Sequence, residues 1–306
     1  MMTTRSRFLQ LAATLLLFAA IPPATPAAEA PKKLLVVTAT VGFPHSSIPT
    51  AEKVLAQLGE KTGVFTVDIV GSGPRPRDKA QATAWMEKMT KDLAEKMNPE
   101  ALKKYDGFIF ANTTGVLPLP DKKAFLESIR GGKAFIGMHS ASDTFHAEEG
   151  APDPYKPGLI DPYTRMLGGE FRVHYAQVPI DCLVVDPKHP STTALGDVFK
   201  IAQEEVYLMK NYDASRVHEL LVLDKHPNDK GVWGRFPVSW CSNYGQGRVF
   251  YTSLGHREDV WDPDWKDGKG VRLNSPEVAE RYQAHILGGI KWALGLEPGD
   301  AKPQTR

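Results

Sequence analysis

One histidine of this chain stands where many enzymes keep a nucleophile. In the stretch GKAFIGMHSASDTF, residues 132–145, an apolar run (Ala134, Phe135, Ile136) leads into Gly137-Met138-His139-Ser140-Ala141. Small residues flank a single polar one at a sharp strand-to-helix turn, the place that hydrolases give to Ser or Cys. A thiolate there attacks carbonyl carbon, whereas an imidazole is more naturally a base, an acid or a metal ligand. A polar side chain at the end of a buried strand must find partners, because leaving it unsatisfied costs roughly 1–3 kcal/mol. His139 therefore reads as catalytic, with a structurally satisfied histidine as the alternative.

Other polar stretches fall at the ends of apolar runs: Gly42-Phe43-Pro44-His45-Ser46-Ser47, Asn112-Thr113-Thr114-Gly115 and Gly255-His256-Arg257-Glu258-Asp259. In open α/β sheets ligands bind beyond the carboxyl ends of the strands. His45, Ser46, Thr114 and Ser140 are thus candidate substrate contacts. Asp143 serves the site or caps the elbow helix. His256 is the second catalytic candidate, because a carboxylate such as Glu258 can orient an imidazole and raise its basicity. His174 follows Gly168-Gly169, where the backbone can pass close to a ligand. Residues 262–268, DPDWKDG, have carboxylates at short spacing but lack the EF-hand ligand pattern, so a solvated loop is expected.

The elements that must position these residues follow a regular order. Lys33–Thr40 is a short, β-rich apolar run of the kind buried on both faces. Helical spacing over Ile48–Lys61, a strand over Phe65–Val70, a polar helix over Lys79–Met97, a strand over Tyr105–Ala111, a helix over Asp121–Ile129 and a strand over Lys133–Met138 come next. Strand and helix alternating at this spacing predict βαβ units and a mostly parallel sheet with helices on both faces. The second half is less regular. Residues 143–167 read as a long excursion, and strand-like runs recur at Gln177–Val185, Glu219–Leu223, Pro237–Ser242 and Arg248–Ser253. A last helix is expected over Glu277–Leu294, capped by Ser275 and stopped by Gly295. One domain over residues 31–297 and a disordered tail over 298–306 are the simplest organisation.

Residues 1–30 read as a secretory signal: Arg5 and Arg7, an apolar run from Phe8 to Ile21, then small residues around Thr25-Pro26-Ala27 or Ala28-Glu29-Ala30. A secreted or periplasmic location follows, with no membrane span after cleavage. Cleavage takes the basic residues from 37 to 35, against 36 acidic ones if Glu29 is kept and 35 if it is removed. A near-neutral chain without a basic run has no electrostatic footprint for nucleic acid. The remaining roughly 270 residues suffice for one large α/β core. Cys182 and Cys241 could pair in an oxidising compartment or lie as two buried thiols. Neither has a catalytic context.

The words VTATVGFPHSSIP, FANTTG, FIGMHSASDTF, LGGEFRVH and YTSLGH, in this order, resemble the ThuA family, named from trehalose utilisation. They span about residues 33–294. The resemblance implies a flavodoxin-like fold similar to class I glutamine amidotransferases. Those enzymes keep a Cys at the elbow and a His with a nearby Glu on a later strand. Here His139 replaces the Cys while His256 and Glu258 remain, so thiol-dependent amide hydrolysis is not expected. The family's acidic residue before Tyr207 fits Glu205, an acid/base group or a hydroxyl acceptor. A small-molecule carbohydrate is the implied partner, with Trp240, Trp261 and Trp265 as candidate stacking platforms. The expected activity is hydrolysis, lyase chemistry or isomerisation of a glycoside or keto-sugar. His139 and His256 would shuttle protons, and His45, His174 and Glu205 would place the substrate or a metal. Zinc suits imidazole ligands, with His139, His174 and His256 as donors, although no HExxH spacing is present; a metal-free acid/base site fits equally. A non-catalytic sugar-binding module is the alternative. A dehydrogenase is disfavoured because the first turn, TVGFPHSSIP, has one glycine, and neither nicotinamide nor flavin is expected.

Overall fold

The structure, a computed structural model, describes residues 30–145, 160–228 and 232–304. The expected leader (residues 1–29) and most of the excursion after the elbow (146–159) lie outside the described residues. In chain order the elements are β1 (Lys32–Val37), α1 (Ile48–Thr62), β2 (Phe65–Val70), α2 (Lys79–Met97), α3 (Pro99–Leu102), β3 (Gly107–Ala111), α4 (Lys122–Arg130) and β4 (Ala134–Met138), followed by a 3₁₀ turn over His139–Asp143. Then come α5 (Pro162–Leu167), β5 (Glu170–His174), β6 (Val178–Val184), β7 (Val198–Glu204), β8 (Tyr207–Lys210), β9 (His218–Lys225), β10 (Trp233–Tyr244), β11 (Gly247–Thr252), α6 (Glu258–Trp261) and α7 (Pro276–Ala293).

Burial decides how the first half folds. Along β1, Leu34 and Val36 enter one apolar cluster while Leu35 and Val37 enter another, so both faces of the strand are covered. One cover is α1, whose Val54, Leu55 and Leu58 share a face and which stops at Gly63 with φ of 65°. The other is α2 and α4, through Met89, Leu93, Met97, Phe125 and Ile129. Asp78 and Asp121 start these two helices by accepting from Gln81 N and Ala124 N, satisfying amides that have no intrahelical partner. From the end of the chain, α7 adds Tyr282, Ile286 and Ile290 to the α1 side.

Nine strands form one sheet in the order β2-β1-β3-β4-β11-β10-β9-β6-β7, and β5 pairs with β8 in a separate two-stranded sheet. The first five strands of that order are parallel, and every pair from β11·β10 onward is antiparallel. The expected mostly parallel sheet is therefore parallel in only one half. The hairpins of the second half carry no helical crossovers, and antiparallel pairing is what short connections permit. Since β1 lies between β2 and β3, the connections leaving β1 and β3 diverge and open a crevice at their carboxyl ends.

One further expectation changes, and of the two alternatives for the cysteines the structure has the second. Residues 298–304 are not a loose tail: Lys302 O accepts from His218 Nδ1 at 2.7 Å, Gly299 O accepts from Trp292 Nε1 at 3.1 Å, and Gln304 Nε2 donates to Glu219 O at 2.9 Å. The segment lacks apolar periodicity, and its partners are Trp292 on α7 and the distant His218 and Glu219 on β9, so local pattern gave no sign of them. Cys182 and Cys241 are both buried free thiols. Among the described residues no helix is long and apolar enough to cross a membrane.

Candidate active site

His139 sits immediately after β4 with φ of 49°. That left-handed backbone is unusual for a residue with a side chain and costs on the order of 1–3 kcal/mol unless its surroundings hold it. They do. Tyr251 OH donates to the His139 carbonyl at 2.8 Å, and the ring's Nδ1–H donates to the Ser253 carbonyl at 2.8 Å. A carbonyl can only accept, so the proton is on Nδ1 and Nε2 carries the lone pair.

That lone pair faces other site residues. His139 Nε2 lies 3.2 Å from His45 Nε2 and 3.2 Å from His256 Nδ1. Glu205 Oε1 is 3.3 Å from His256 Nδ1 and 3.9 Å from His139 Nε2. One donor atom from each of these four residues falls within 4.8 Å of the others. His45, His139 and Glu205 are buried, and His256 is partly open. The chain brings them in from separate elements: His45 from the loop after β1, Glu205 from the end of β7, His256 from the loop after β11.

Neighbours fix each ring. Ser140 Oγ is 3.3 Å from His45 Nδ1, and Tyr207 OH is 3.5 Å from His45 Nε2. His174 Nδ1 lies 2.9 Å from Glu205 Oε2. Glu204, fully buried, accepts the backbone N–H of both Glu205 (2.9 Å) and His256 (3.1 Å) through Oε1. Asn112 Nδ2 donates to Ser47 Oγ at 2.7 Å, and Ser47 Oγ donates to the Gly255 carbonyl at 3.3 Å, tying together the loops that follow β1, β3 and β11.

Electrostatics sort the three imidazoles. Burial, then repulsion from His256 and His174, lowers His45 to about 3. Burial and the facing His45 and His256 hold His139 well below the ordinary histidine value. For His256 burial works the same way, but it is outweighed by the hydrogen bond to Glu205 and the charges of Glu204, Glu205 and Glu258, and its pKa rises. Burial pushes Glu204 up to about 7.

Several sequence expectations need correction here. His174 is not in the converging set; its side chain is 47% exposed and backs Glu205 from outside. The carboxylate that holds His256 is Glu205, while Glu258 acts on it only through charge. Ser46 is exposed, and Ser47 makes the contacts instead. Trp240 is fully buried, its Nε1 donating to Leu167 O at 2.7 Å, and so cannot stack on a ligand in the cleft; Trp261 is likewise buried. The exposed aromatic beside the cluster is Phe43, 67% exposed, with its ring 5.1 Å from that of His45. Thr114 holds this platform: its Oγ1 donates to the Phe43 carbonyl at 3.2 Å and bonds Thr40 Oγ1. Asp143 closes the elbow turn, its carbonyl accepting from Gly115 N at 2.9 Å. Two carboxylates of the 262–268 loop are engaged elsewhere, Asp262 by Lys53 of α1 and Asp267 by its own loop amides. Glu204, Tyr207, Ser47, Asn112 and Phe43 were not singled out from sequence; only the adjacency of Glu204 and Tyr207 to Glu205 hinted at two of them.

Fold and site together define an α/β protein with a histidine-lined cleft where its parallel strands end. The family model ThuA, trehalose utilisation, matches residues 33–267, and the chain belongs to that family, which makes it carbohydrate-related. Two solved structures share its fold. A ThuA-like protein from Parabacteroides merdae has a TM-score of 0.61 at 19% identity, over 86% of this chain and 90% of that one. A ThuA-like protein from Bacteroides uniformis has a TM-score of 0.54 at 21% identity, over 89% and 94%. No curated protein sequence matches the chain.

Proposed function

We propose that this chain is a carbohydrate-modifying enzyme, a hydrolase, lyase or isomerase acting on a glycoside or keto-sugar at the His45–His139–Glu205–His256 cluster. The observation that carries the reading is the convergence of three imidazole nitrogens and a carboxylate oxygen at the carboxyl edge of the sheet. A sugar has to be polarised at its carbonyl or anomeric oxygen and has to exchange protons, and such a cluster suits both tasks. A module that only bound sugar would gain nothing from packing three histidines against one another. Phe43 would stack on the apolar face of the ring, since it is exposed beside His45 and its backbone is pinned by Thr114. The strand order β2-β1-β3-β4-β11 supports calling the parallel half flavodoxin-like, with the cleft at its switch point.

The test is a panel of glycosides and their keto-sugar forms, followed by NMR for new products. Wild-type protein is expected to convert at least one member. Phe43→Ala should raise KM roughly 2–12-fold at unchanged kcat, the worth of one aromatic contact. Binding without conversion across the panel would sink the enzyme reading and leave a sugar-binding module.

A further inference from the structure

We propose that His45, His139, Glu205 and His256 together hold one divalent transition-metal ion, with zinc the first to test. The inference rests on the proposed reactive centre and names what occupies it.

The first argument is a count of lone pairs. His139 donates Nδ1–H to Ser253, which leaves one lone pair on Nε2. Two ring nitrogens stand 3.2 Å from that single lone pair, His45 Nε2 and His256 Nδ1. His139 Nε2 can take one full hydrogen bond, and without an ion His256 Nδ1–H turns to Glu205 Oε1 at 3.3 Å, leaving two ring nitrogens 3.2 Å apart with no bond between them. A cation at their common centre satisfies all three. The second argument is spacing. Two nitrogens on one tetrahedral zinc, each about 2.0 Å from it, stand about 3.3 Å apart. Two nitrogen separations, from His139 Nε2 to His45 Nε2 and to His256 Nδ1, are 3.2 Å; Glu205 Oε1 is 3.3 Å from His256 Nδ1 and 3.9 Å from His139 Nε2, and all four donors lie within 4.8 Å of one another.

The third argument is what backs each donor. Metal-binding histidines and carboxylates are themselves oriented by hydrogen bonds on their far side. Here Ser253 O takes His139 Nδ1–H, Ser140 Oγ meets His45 Nδ1 and His174 Nδ1 meets Glu205 Oε2, while Glu204 fixes the backbone of Glu205 and His256 by accepting both amides. His174 is therefore a positioning residue rather than a ligand. Three imidazoles with one carboxylate suit zinc and its neighbours in the first row rather than calcium or magnesium, which take oxygen ligands. With the ion bound, the facing nitrogens of His139 and His256 are withdrawn from the proton shuttle that their positions alone suggest.

The experiment uses the full chain, stripped with a chelator and titrated with zinc chloride by calorimetry, and no sugar. One zinc per chain is expected. Glu205→Gln and His45→Ala should each weaken it by more than about 100-fold, and His174→Ala by about 10–100-fold at the same stoichiometry. Cobalt chloride needs no variant: bound by imidazole nitrogens at low coordination number it should give strong visible bands. No stoichiometric uptake, uptake unchanged in His45→Ala, or a cobalt spectrum like that of the aqueous ion would overturn the assignment. Metal binding by a protein that converts no sugar would leave the ion in place and sink the proposed activity instead. Sugar turnover by rigorously metal-free protein would do the reverse.

Discussion

Among the described residues two groups of histidines lie wholly or mostly out of solvent, and they are built on opposite plans. In the cleft, His45, His139 and His256 turn nitrogens toward one another. In the second group each nitrogen goes its own way. His189 Nδ1 is 2.8 Å from Ser191 Oγ, and His285 Nδ1–H donates to Ser191 O at 2.8 Å. His218 Nδ1–H donates to Lys302 O at 2.7 Å, and its Nε2 lies 2.9 Å from Asp186 Oδ2. His189 and His218 have ring centroids 6.3 Å apart, so they are neighbours that do not converge. Burial alone does not make a histidine functional; what distinguishes the cleft is that its unshared electron pairs share one target.

The strongest way to break this comparison is to remove one converging nitrogen. His139→Asn keeps size and polarity and should melt like wild type, yet lose turnover by about 10²–10⁴-fold. Wild-type turnover in the folded variant would reduce His139 to an occupant of the turn. Next in size is a stability effect away from the cleft. Trp240→Ala should cost about 3–5 kcal/mol in denaturant unfolding, because the ring is fully buried against Tyr251 and Tyr212. The same stability as wild type would mean that Trp240 is not a core residue.

The second group gives a pH prediction of the sign opposite to that of His256. Burial lowers His189 and His285 to about 4. Both are neutral in the fold, whereas an unfolded histidine titrates near 6.5. The unfolded state then binds more protons between those values, so their contribution to stability is complete above pH 6.5 and is lost as pH falls toward 4. In metal-free protein the raised His256 contributes on the acid side and loses that contribution as pH rises through its folded value. Melting temperature should therefore fall between pH 6.5 and 4, and a flat profile there would contradict the buried neutral state. The smallest effect expected on activity is that of the thiols. Cys182→Ser with Cys241→Ser should reduce stability, as buried hydroxyls replace buried thiols, and leave the folded fraction fully active. Lost turnover in folded double variant would move the nucleophile to a cysteine.

The first half of the fold was legible because its elements are long and their periodicity is local. The sequence ranges for β2 and α2 agree with the structure at both ends. The short strands β5 and β8 form their own sheet, and four or five residues are too few to show a period. The strand β7 does alternate, with Phe199 and Ile201 buried between more open neighbours, but its polar end, Gln203-Glu204, disguised it. At the site, Glu205 came from the family resemblance, whereas strand-end position pointed to His45, His139 and His256. It could not say which nitrogens meet, since that depends on loops separated by 94 to 117 residues. Trp240 misled because both faces of its strand are buried: Trp240 packs on one side and Cys241 on the other. Alternation along such a strand carries no information about which side chain reaches solvent.

The strand order has a consequence for biosynthesis. The last described strand to be made, β11, is inserted between β4 and β10 and, among the described residues, is the only strand bonded to both the parallel and the antiparallel half. Until residues 247–252 emerge, each half presents an open edge, the kind of surface that pairs with foreign strands and aggregates. The same strand leads to Ser253, whose carbonyl fixes the His139 ring across 114 residues of chain, and to His256. A nascent chain ending before it would thus have two unjoined half-sheets and a free elbow imidazole, so the cleft can close only in the final stage of folding.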